Sequence, residues 1–442
     1  MAVVCSAVCA ILALLFYLSL PDPLFDVPVS TVLEDRKGNL LGARIAEDGQ
    51  WRFPLNQNVP DKFRIALLQF EDRRFYAHPG VDVPALCRAI YLNLKSWKAV
   101  SGGSTLTMQV IRLSRRGRPR SISEKLIEML LAVRLECSFS KKEILAFYAS
   151  NAPFGGNVVG LDAAAWRYFG RKPDDLSWAE SAMLAVLPNS PSLIHPGKNR
   201  EKLRNKRDRL LKRLRDVGVL DEETFRLALS EPIPERPKPF PRYAFHLLER
   251  ANREAEQKTT KTCFRSTLDI DLQIKAGEIV NRYQKQYAGN QIHNAAALII
   301  EVETGNVLAY IGNAGNLNDR TNGAQVDIIT AERSTGSVLK PFLFAGMLTS
   351  GDILPTSLVP DIPTQFGGYM PENYNMGYDG AVPAKRALAR SLNIPAIRML
   401  RKYGIPKFIH LLKKTGMTTV NNTAEHSVCL SSSAERKAIC GN

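Results

Sequence analysis

The sequence has no CxxC pair and, beyond one N-terminal run, no apolar stretch long enough to cross a bilayer. The first absence leaves seven scattered cysteines, Cys5, Cys9, Cys87, Cys137, Cys263, Cys429 and Cys440, with neither a zinc-site nor a disulfide-framework signal. They read as small buried hydrophobes, with Cys5 and Cys9 facing lipid or another helix. The second absence excludes a polytopic transporter. Negative charge is also in short supply: 43 Asp plus Glu stand against 59 Lys plus Arg, a formal net charge of +16. A surplus of that size points to an anionic partner: nucleic acid, an acidic membrane surface or a phosphorylated substrate. What remains is ordinary globular composition, 45% apolar and 23% charged, which excludes collagen, a disordered tail protein and a disulfide mini-scaffold. At 442 residues the chain exceeds one compact core, and about 150 residues per domain gives two or three domains.

Residues 1–21 carry no Asp, Glu, Lys or Arg, and the run AVVCSAVCAILALLFYLSL is long enough to span the hydrocarbon layer as a helix. A cleaved signal peptide wants a basic start and an A-x-A site. Neither is present, so the segment reads as an uncleaved anchor. Pro21, Pro23 and Pro28 then give an extended exit. STVLEDRKGNLLGARI predicts two short strands around Lys37-Gly38-Asn39. From about Val59 to Gly218 the pattern is helical. FRIALLQF sets Ile65, Leu68 and Phe70 near one face. SISEKLIEMLLAVRLE repeats Leu126, Met129, Leu130 and Val133 behind a Ser121–Glu124 capping box, and such stripes predict a helical core. LSWAESAMLAVL repeats the device with Ser177 and Glu180. Residues 198–215 form a strongly basic helix, and the Pro-rich stretch 231–243 reads as a linker. NAAALIIEVETGNVLAYIG predicts two apolar strands around the 303–306 turn, opening a mixed α/β region.

Residues 71–82 read EDRRFYAHPGVD, two acids ending an apolar helix. Such a carboxylate serves as a general base when its surroundings raise its pKa toward neutrality. For an arbitrary Glu-Asp pair a helix-end salt bridge is the commoner explanation. Further segments shift that balance. SGGSTLTMQ at 101–109 offers backbone N–H groups and hydroxyls to phosphate or sugar oxygens. Arg112, Arg115, Arg116, Arg118 and Arg120 follow, a cluster suited to a diphosphate. Lys125 and Glu128 share one helix face, and NAPFGGNVVGLDAAAWRYFG and LPNSPSLIHPG come after them.

In order and spacing these segments resemble the peptidoglycan glycosyltransferase domain of class A penicillin-binding proteins. Glu71, Asp72, Phe75, His78, Gly80 and Asp82 match its E-D-x-x-F-x-x-H-x-G-x-D pattern. Gly102, Gly103, Ser104, Thr105 and Gln109 match G-G-S-T-[LI]-T-x-Q, Lys125 and Glu128 match K-x-x-E, and 141–151, ending on Asn151, loosely match K-x-x-I-L-x-x-Y-x-N. WRFPLN at 51–56 is similar to the 1C subgroup of that family. The resemblance implies a mainly α-helical, lysozyme-like domain that polymerises lipid II into glycan strands and releases undecaprenyl diphosphate. It implies Glu71 as general base, Arg112 and Lys125 against the developing negative charge, and Glu128 orienting Lys125 or the substrate. Asp72, Phe75, His78, Gly102 to Thr105, Gln109 and Asn151 would contact substrate. Asp72 would either help hold a divalent cation such as Mg or polarise Glu71. The implied location is the bacterial cytoplasmic membrane, single-pass, with catalytic domains on the periplasmic side and membrane lipid as a partner. One departure stands out: the family usually has Arg before the Lys of the third element, and here it is Glu124, which fits a capping box. Arg118 or Arg120 is the expected replacement.

RSTGSVLKP at 333–341 puts Ser337 and Lys340 one helical turn apart, the S-x-x-K arrangement in which a lysine activates a serine. Ser391 and Asn393 supply S-x-N, and PENYNMGYDGAVPAKRALARSLNIPA resembles the α/β, β-lactamase-like transpeptidase domain of the same family. The resemblance implies Ser337 as nucleophile toward a D-alanyl-D-alanine stem peptide or a penicillin-type β-lactam. The letters K-T-G at 414–416 lie only 21 residues past Asn393 and end an amphipathic helix, so they read as a glycine stop. Resemblance fades after about His426. The expectation is an incomplete transpeptidase half that keeps Ser337 and Lys340, lacks its third element, leaves an open sheet edge, and is inactive or poorly folded. The expected division is anchor 1–21, extended and strand linker 22–58, glycosyltransferase domain 59–218, linker 219–262, transpeptidase domain 263–426 and non-family tail 427–442.

A lysozyme-like glycan hydrolase is the alternative enzyme, although the Arg cluster and the anchor favour a diphosphate lipid. A nucleic-acid binder is disfavoured, because the basic helix has few aromatics for base stacking and a basic face beside an anchor suits anionic head groups. A non-catalytic truncated scaffold is the remaining reading.

Overall fold

A computed structural model describes residues 4, 10–11, 14–96, 102–116, 118, 121–189, 199–258, 262–318, 321–331, 335–365 and 370–417. The chain divides into two compact units, Met1–Ile329 and Thr330–Asn442. The predicted anchor 1–21 falls partly outside the described residues, and among the described residues no helix is long and apolar enough to cross a membrane.

The core of the first unit is helical. Trp178–Val186 is apolar on nearly all sides and is buried at Ala179 and from Ser181 to Val186, after a complete Ser177–Glu180 capping box. Helix Asp61–Glu71 packs its Phe63, Ala66, Leu67 and Leu68 there, and Arg200–Asp216 adds Leu203, Leu210, Leu211 and Leu214. Arg207 is buried on that helix because its charge is satisfied: it pairs with Asp208 and donates to the Glu231 carbonyl at 2.6 Å.

Two stripes of the sequence reading turn out differently. On Asp61–Glu71, Ile65 and Phe70 are only half-buried. On Ile122–Ser138, Leu126 and Leu130 are 60% and 57% exposed, while Leu131, Ala132 and Leu135 enter the core beside Glu128 and Arg134. This helix is apolar on two sides, so periodicity identifies the helix without deciding which side meets the core. The Ser121 capping box is half formed. Ser121 Oγ accepts the Glu124 N–H, but the Glu124 carboxylate turns to Arg115. A complete box that the sequence reading does not single out, Ser140 with Glu143, starts helix Lys141–Asn151.

Strand Thr31–Glu34 lies between Leu40–Arg44, antiparallel, and Cys263–Arg265, parallel. Its turn follows prediction: Asp35 Oδ1 accepts the N–H groups of Lys37 and Asn39, with Gly38 at φ +76°. The 219–262 stretch, expected as a linker, carries helices Glu222–Ser230 and Phe245–Lys258. Phe240 in its Pro-rich part packs on Trp51, with ring centroids 4.4 Å apart. The predicted hairpin is present as Ala297–Ile300 and Val307–Ile311 and belongs to the first unit.

The second unit packs Leu343, Met347, Leu400, Phe408 and Leu412 from helices Lys340–Thr349, Asn393–Tyr403 and Ile405–Lys414. Beside them runs the antiparallel pair Leu358–Asp361 and Gly380–Pro383.

Candidate active site

Glu71 is the last residue of Asp61–Glu71, and the chain leaves the helix at Asp72, whose φ is −156°. The Asp72 carboxylate accepts the Leu106 N–H at 2.9 Å, and both its oxygens lie 3.1 Å from His78 Nε2. This contact fixes the start of helix Leu106–Ser114, which Thr105 caps by accepting the Met108 N–H. Gln109 comes one turn later, and its Nε2 donates to Glu71 Oε2 at 2.7 Å. Glu71 Oε1 is buried. Burial raises the Glu71 pKa above the usual carboxylate range; the Gln109 donor, the Lys206 ammonium and the Asn189 side chain act against it, and the Asp72 charge adds to it. The result is a desolvated carboxylate with one oxygen fixed by Gln109, a setting suited to a general base.

The turn after Asp72 is a scaffold. Lys141 Nζ donates to the His78 carbonyl and to Glu136, both at 2.7 Å, and sits 4.4 Å over the Phe75 ring. Phe75 and His78 are thus buried parts of the frame and do not line the cleft beside Glu71. Gly80, at φ +94°, passes so close to the next helix that a Cβ would lie 2.7 Å from Ala132 C and O. Asp82 accepts the Ala85 N–H at 2.9 Å, at the start of helix Val83–Ser96, and pairs with Arg74.

A cleft of about 390 Å³ opens beside Glu71, lined by Phe70 to Arg74, Asp82, Ala85, Arg88, Gly102 to Thr105 and Arg213. Gly102, Gly103, Ser104 and Thr105 thus lie on the wall of the cleft beside Glu71. Glu128 does not orient Lys125: Arg112 holds both its oxygens, Nε at 2.8 Å and Nη2 at 2.6 Å, and this pairing first of all pushes the Arg112 pKa up. Arg112 Nη2 also reaches Ser104 Oγ at 3.4 Å. Lys125 is half-buried and makes no hydrogen bond or ion pair among the described residues. Glu124 binds Arg115 at 2.6 Å, so the departure from the family pattern removes a second positive charge from use. Arg115, Arg116 and Arg118 line a separate recess with Phe25, Asp26 and Val27, whereas the Arg112 charge interacts with Glu71. Arg120 lies outside the described residues. Asn151 donates to the Phe147 carbonyl and holds its own helix end. Asp72 is committed to Leu106 and His78, and among the described residues no group of three or more His, Cys, Asp or Glu is placed to hold a metal ion.

Sequence reasoning does not single out Lys206 and Arg213. The basic helix reads as a lipid-facing surface, yet the Lys206 charge acts on Glu71 and Arg213 donates to the Gln69 carbonyl at 3.1 Å on the cleft wall. The available signal is their spacing around Leu210, which places both beside the buried stripe.

In the second unit, the short turn Gly336–Leu339 runs into Lys340–Thr349 and presents Ser337 exposed beside a buried Lys340. Lys340 Nζ donates to the Ser391 carbonyl at 2.8 Å and to Asn393 Oδ1 at 2.7 Å, with Ser391 Oγ at 3.3 Å. Lys340, Ser391 and Asn393 are therefore brought together, and Ser337 lies one helical turn before Lys340. Gly416 closes Ile405–Lys414 at φ +90°, donating its N–H to the Lys413 carbonyl, so K-T-G is the predicted helix stop.

Residues 38–215 match the family model for transglycosylases, and residues 295–428 match the model for the penicillin-binding protein transpeptidase domain. The chain is 36% identical over 400 residues to penicillin-binding protein 1C of Escherichia coli (strain K12), covering 90% of this chain and 51% of that protein. It is 28% identical over 406 residues to penicillin-binding protein 1F of Bacillus subtilis (strain 168), covering 88% and 55%. A crystal structure of penicillin-binding protein 1A from Haemophilus influenzae aligns with a TM-score of 0.40 at 18% identity, over 89% of this chain and 64% of that one. The chain spans about half the length of the curated relatives it matches. With both domain models matched in order, and 36% of residues shared across 90% of its length with one relative, the chain belongs to the class A penicillin-binding proteins.

Proposed function

We propose that the first unit is a peptidoglycan glycosyltransferase that lengthens glycan strands from lipid II. The observation that carries this reading is Glu71, a carboxylate desolvated by burial and held by Gln109 on one oxygen, at a cleft walled by cations. Glu71 Oε1 takes the proton of the acceptor sugar hydroxyl as its oxygen attacks the donor anomeric carbon. The bond from that carbon to the diphosphate oxygen breaks, and the electron pair leaves with undecaprenyl diphosphate. One displacement inverts the anomeric centre. The leaving group departs as an anion, so the site needs positive charge rather than a second acid. Lys125, which makes no hydrogen bond or ion pair among the described residues, is the group for that task. Arg112 serves by holding Glu128 and facing Ser104.

A location at the bacterial cytoplasmic membrane, catalytic units on the outer side, follows from the same reading. Its support is the apolar run 1–21 and the exposed Ile90, Tyr91, Leu94, Ile122, Leu126 and Leu130 on two helices of the first unit. The test is incubation with lipid-linked disaccharide: growth of glycan without cleavage of finished glycan is expected, and loss of growth in Glu71→Gln. Net cleavage establishes the hydrolase reading, and growth retained in Glu71→Gln overturns the role of Glu71.

In the second unit we read Ser337 and Lys340 as the serine–lysine part of an acyl-transfer site, Lys340 taking the Ser337 proton. The expected outcome with labelled penicillin is no stable label on this chain, because the K-T-G letters close a helix instead of lining a strand. Stable labelling that Ser337→Ala abolishes shows that the site is competent without them.

A further inference from the structure

Two residues outside both S-x-x-K and S-x-N form a buried polar chain that ends on Lys340. Asp361 is fully buried, and Asn373 and Lys340 are each 3% exposed. Asn373 Nδ2 donates to Asp361 Oδ1 at 2.8 Å and to the Gly377 carbonyl at 3.0 Å. The other Asp361 oxygen accepts the Asp379 N–H at 3.0 Å. Asn373 Oδ1 accepts the N–H of Asn393 at 2.9 Å and of Ile394 at 3.4 Å. Those are the first two N–H groups of helix Asn393–Tyr403, whose own cap residue, Leu392, offers no side-chain acceptor. The Asn393 side chain is held at both ends, Nδ2 donating to the Glu372 carbonyl at 2.9 Å and Oδ1 accepting from Lys340 Nζ at 2.7 Å. Ser391, at a left-handed φ of 54°, completes the setting by turning its carbonyl to Lys340.

We propose that Asn373, clamped by Asp361, is the positioning residue of this site: it caps the Asn393–Tyr403 helix from outside and thereby holds Asn393 Oδ1 against the Lys340 ammonium. The inference rests on reading the second unit as an acyl-transfer site. The chemistry of the clamp is directional. A carboxylate only accepts, so Asp361 draws the Asn373 NH₂ toward itself and leaves the amide oxygen for the helix N–H groups. Without that carboxylate the amide is free to turn over and point its own N–H groups at the helix donors.

The test reads the Lys340 amine directly, by acetylation of the full chain with mass spectrometry of each lysine. Asn373→Leu is expected to speed Lys340 modification about fivefold, which corresponds to roughly 1 kcal/mol. The surface lysines Lys402 and Lys407 keep their rates. Asp361→Asn moves Lys340 in the same direction. The exchanged pair, Asp361→Asn with Asn373→Asp, restores protection, because the new carboxylate accepts from the helix and the new amide donates to it. An unchanged Lys340 rate in Asn373→Leu overturns the proposal. So does a general loss of structure, seen as faster hydrogen exchange along Ile405–Lys414, that the exchanged pair does not reverse. Since Ser337 need not react, absence of penicillin labelling bears on the acyl-transfer reading alone, and the positioning role is decided separately.

Discussion

Replacing Gln109 with methionine perturbs the glycosyltransferase site at one bond. The Gln109 Nε2 donor lies 2.7 Å from Glu71 Oε2, and methionine has nearly the same length but donates nothing. That bond favours the charged carboxylate, while burial, the largest influence on Glu71, favours the protonated acid. With the donor gone, burial is less opposed and the Glu71 pKa rises further. A hydrogen bond to a charged group is worth about 1.5–3 kcal/mol. Glu71 is only half-buried at its residue surface, so the lower end applies, and at 1.36 kcal/mol per unit the shift is about one pKa unit upward. The assay is kcat/KM for glycan polymerisation against pH. The acid limb, where the base is lost by protonation, should move up by about one unit in Gln109→Met. A limb that stays in place, or moves down, refutes the assignment of Glu71 as the titrating base or of Gln109 as its donor.

Glu71 also links activity to stability. Its pKa is raised in the fold, so the folded state binds that proton more tightly than the unfolded chain, and stability falls as pH rises through the folded pKa. Glu71→Gln is therefore expected to abolish polymerisation yet raise the thermal midpoint at neutral pH by roughly 2–4 °C. That gain should vanish below the ordinary carboxylate value of 4.5, where both states are protonated, and a lowered midpoint at neutral pH contradicts the argument. Lys125→Ala should reduce kcat/KM by about 100-fold, with stability unchanged to within roughly 0.5 kcal/mol, since it has no partner to lose among the described residues; a loss under tenfold removes Lys125 from the leaving-group site. Gly80→Ala combines a left-handed backbone with a Cβ 2.7 Å from the Ala132 backbone. It should cost about 2–5 kcal/mol in urea unfolding, and an unchanged midpoint shows that the close approach at Gly80 does not constrain the fold.

The features legible in the sequence are those whose partners lie within a turn or two of each other. The Asp35 turn, the Ser177–Glu180 box and the glycine stop at Gly416 are all closed by neighbours two to four residues away. Order and spacing of Glu71, the 102–109 segment, Ser337–Lys340 and Ser391–Asn393 likewise identify the two chemistries, because the residue types demanded by each reaction sit in short runs. Charge pairing follows no such rule. Gln109 is 38 residues from Glu71, Arg112 is 16 from Glu128, and Arg213 comes to the cleft, and the Lys206 charge to Glu71, from far along the chain. Which cation stays free and which is neutralised depends on how helices with two apolar sides, such as Ile122–Ser138, turn in the core. In short, the chain by itself determined where helices start and stop and which reactive groups are present. Only the packed structure decided that Glu128 takes Arg112, that Glu124 takes Arg115 and that Asn373 caps a helix 20 residues away. The reason is that a side chain's electrostatic partner is set by distance in space, and burial of one helix face fixes those distances for every polar group on the other.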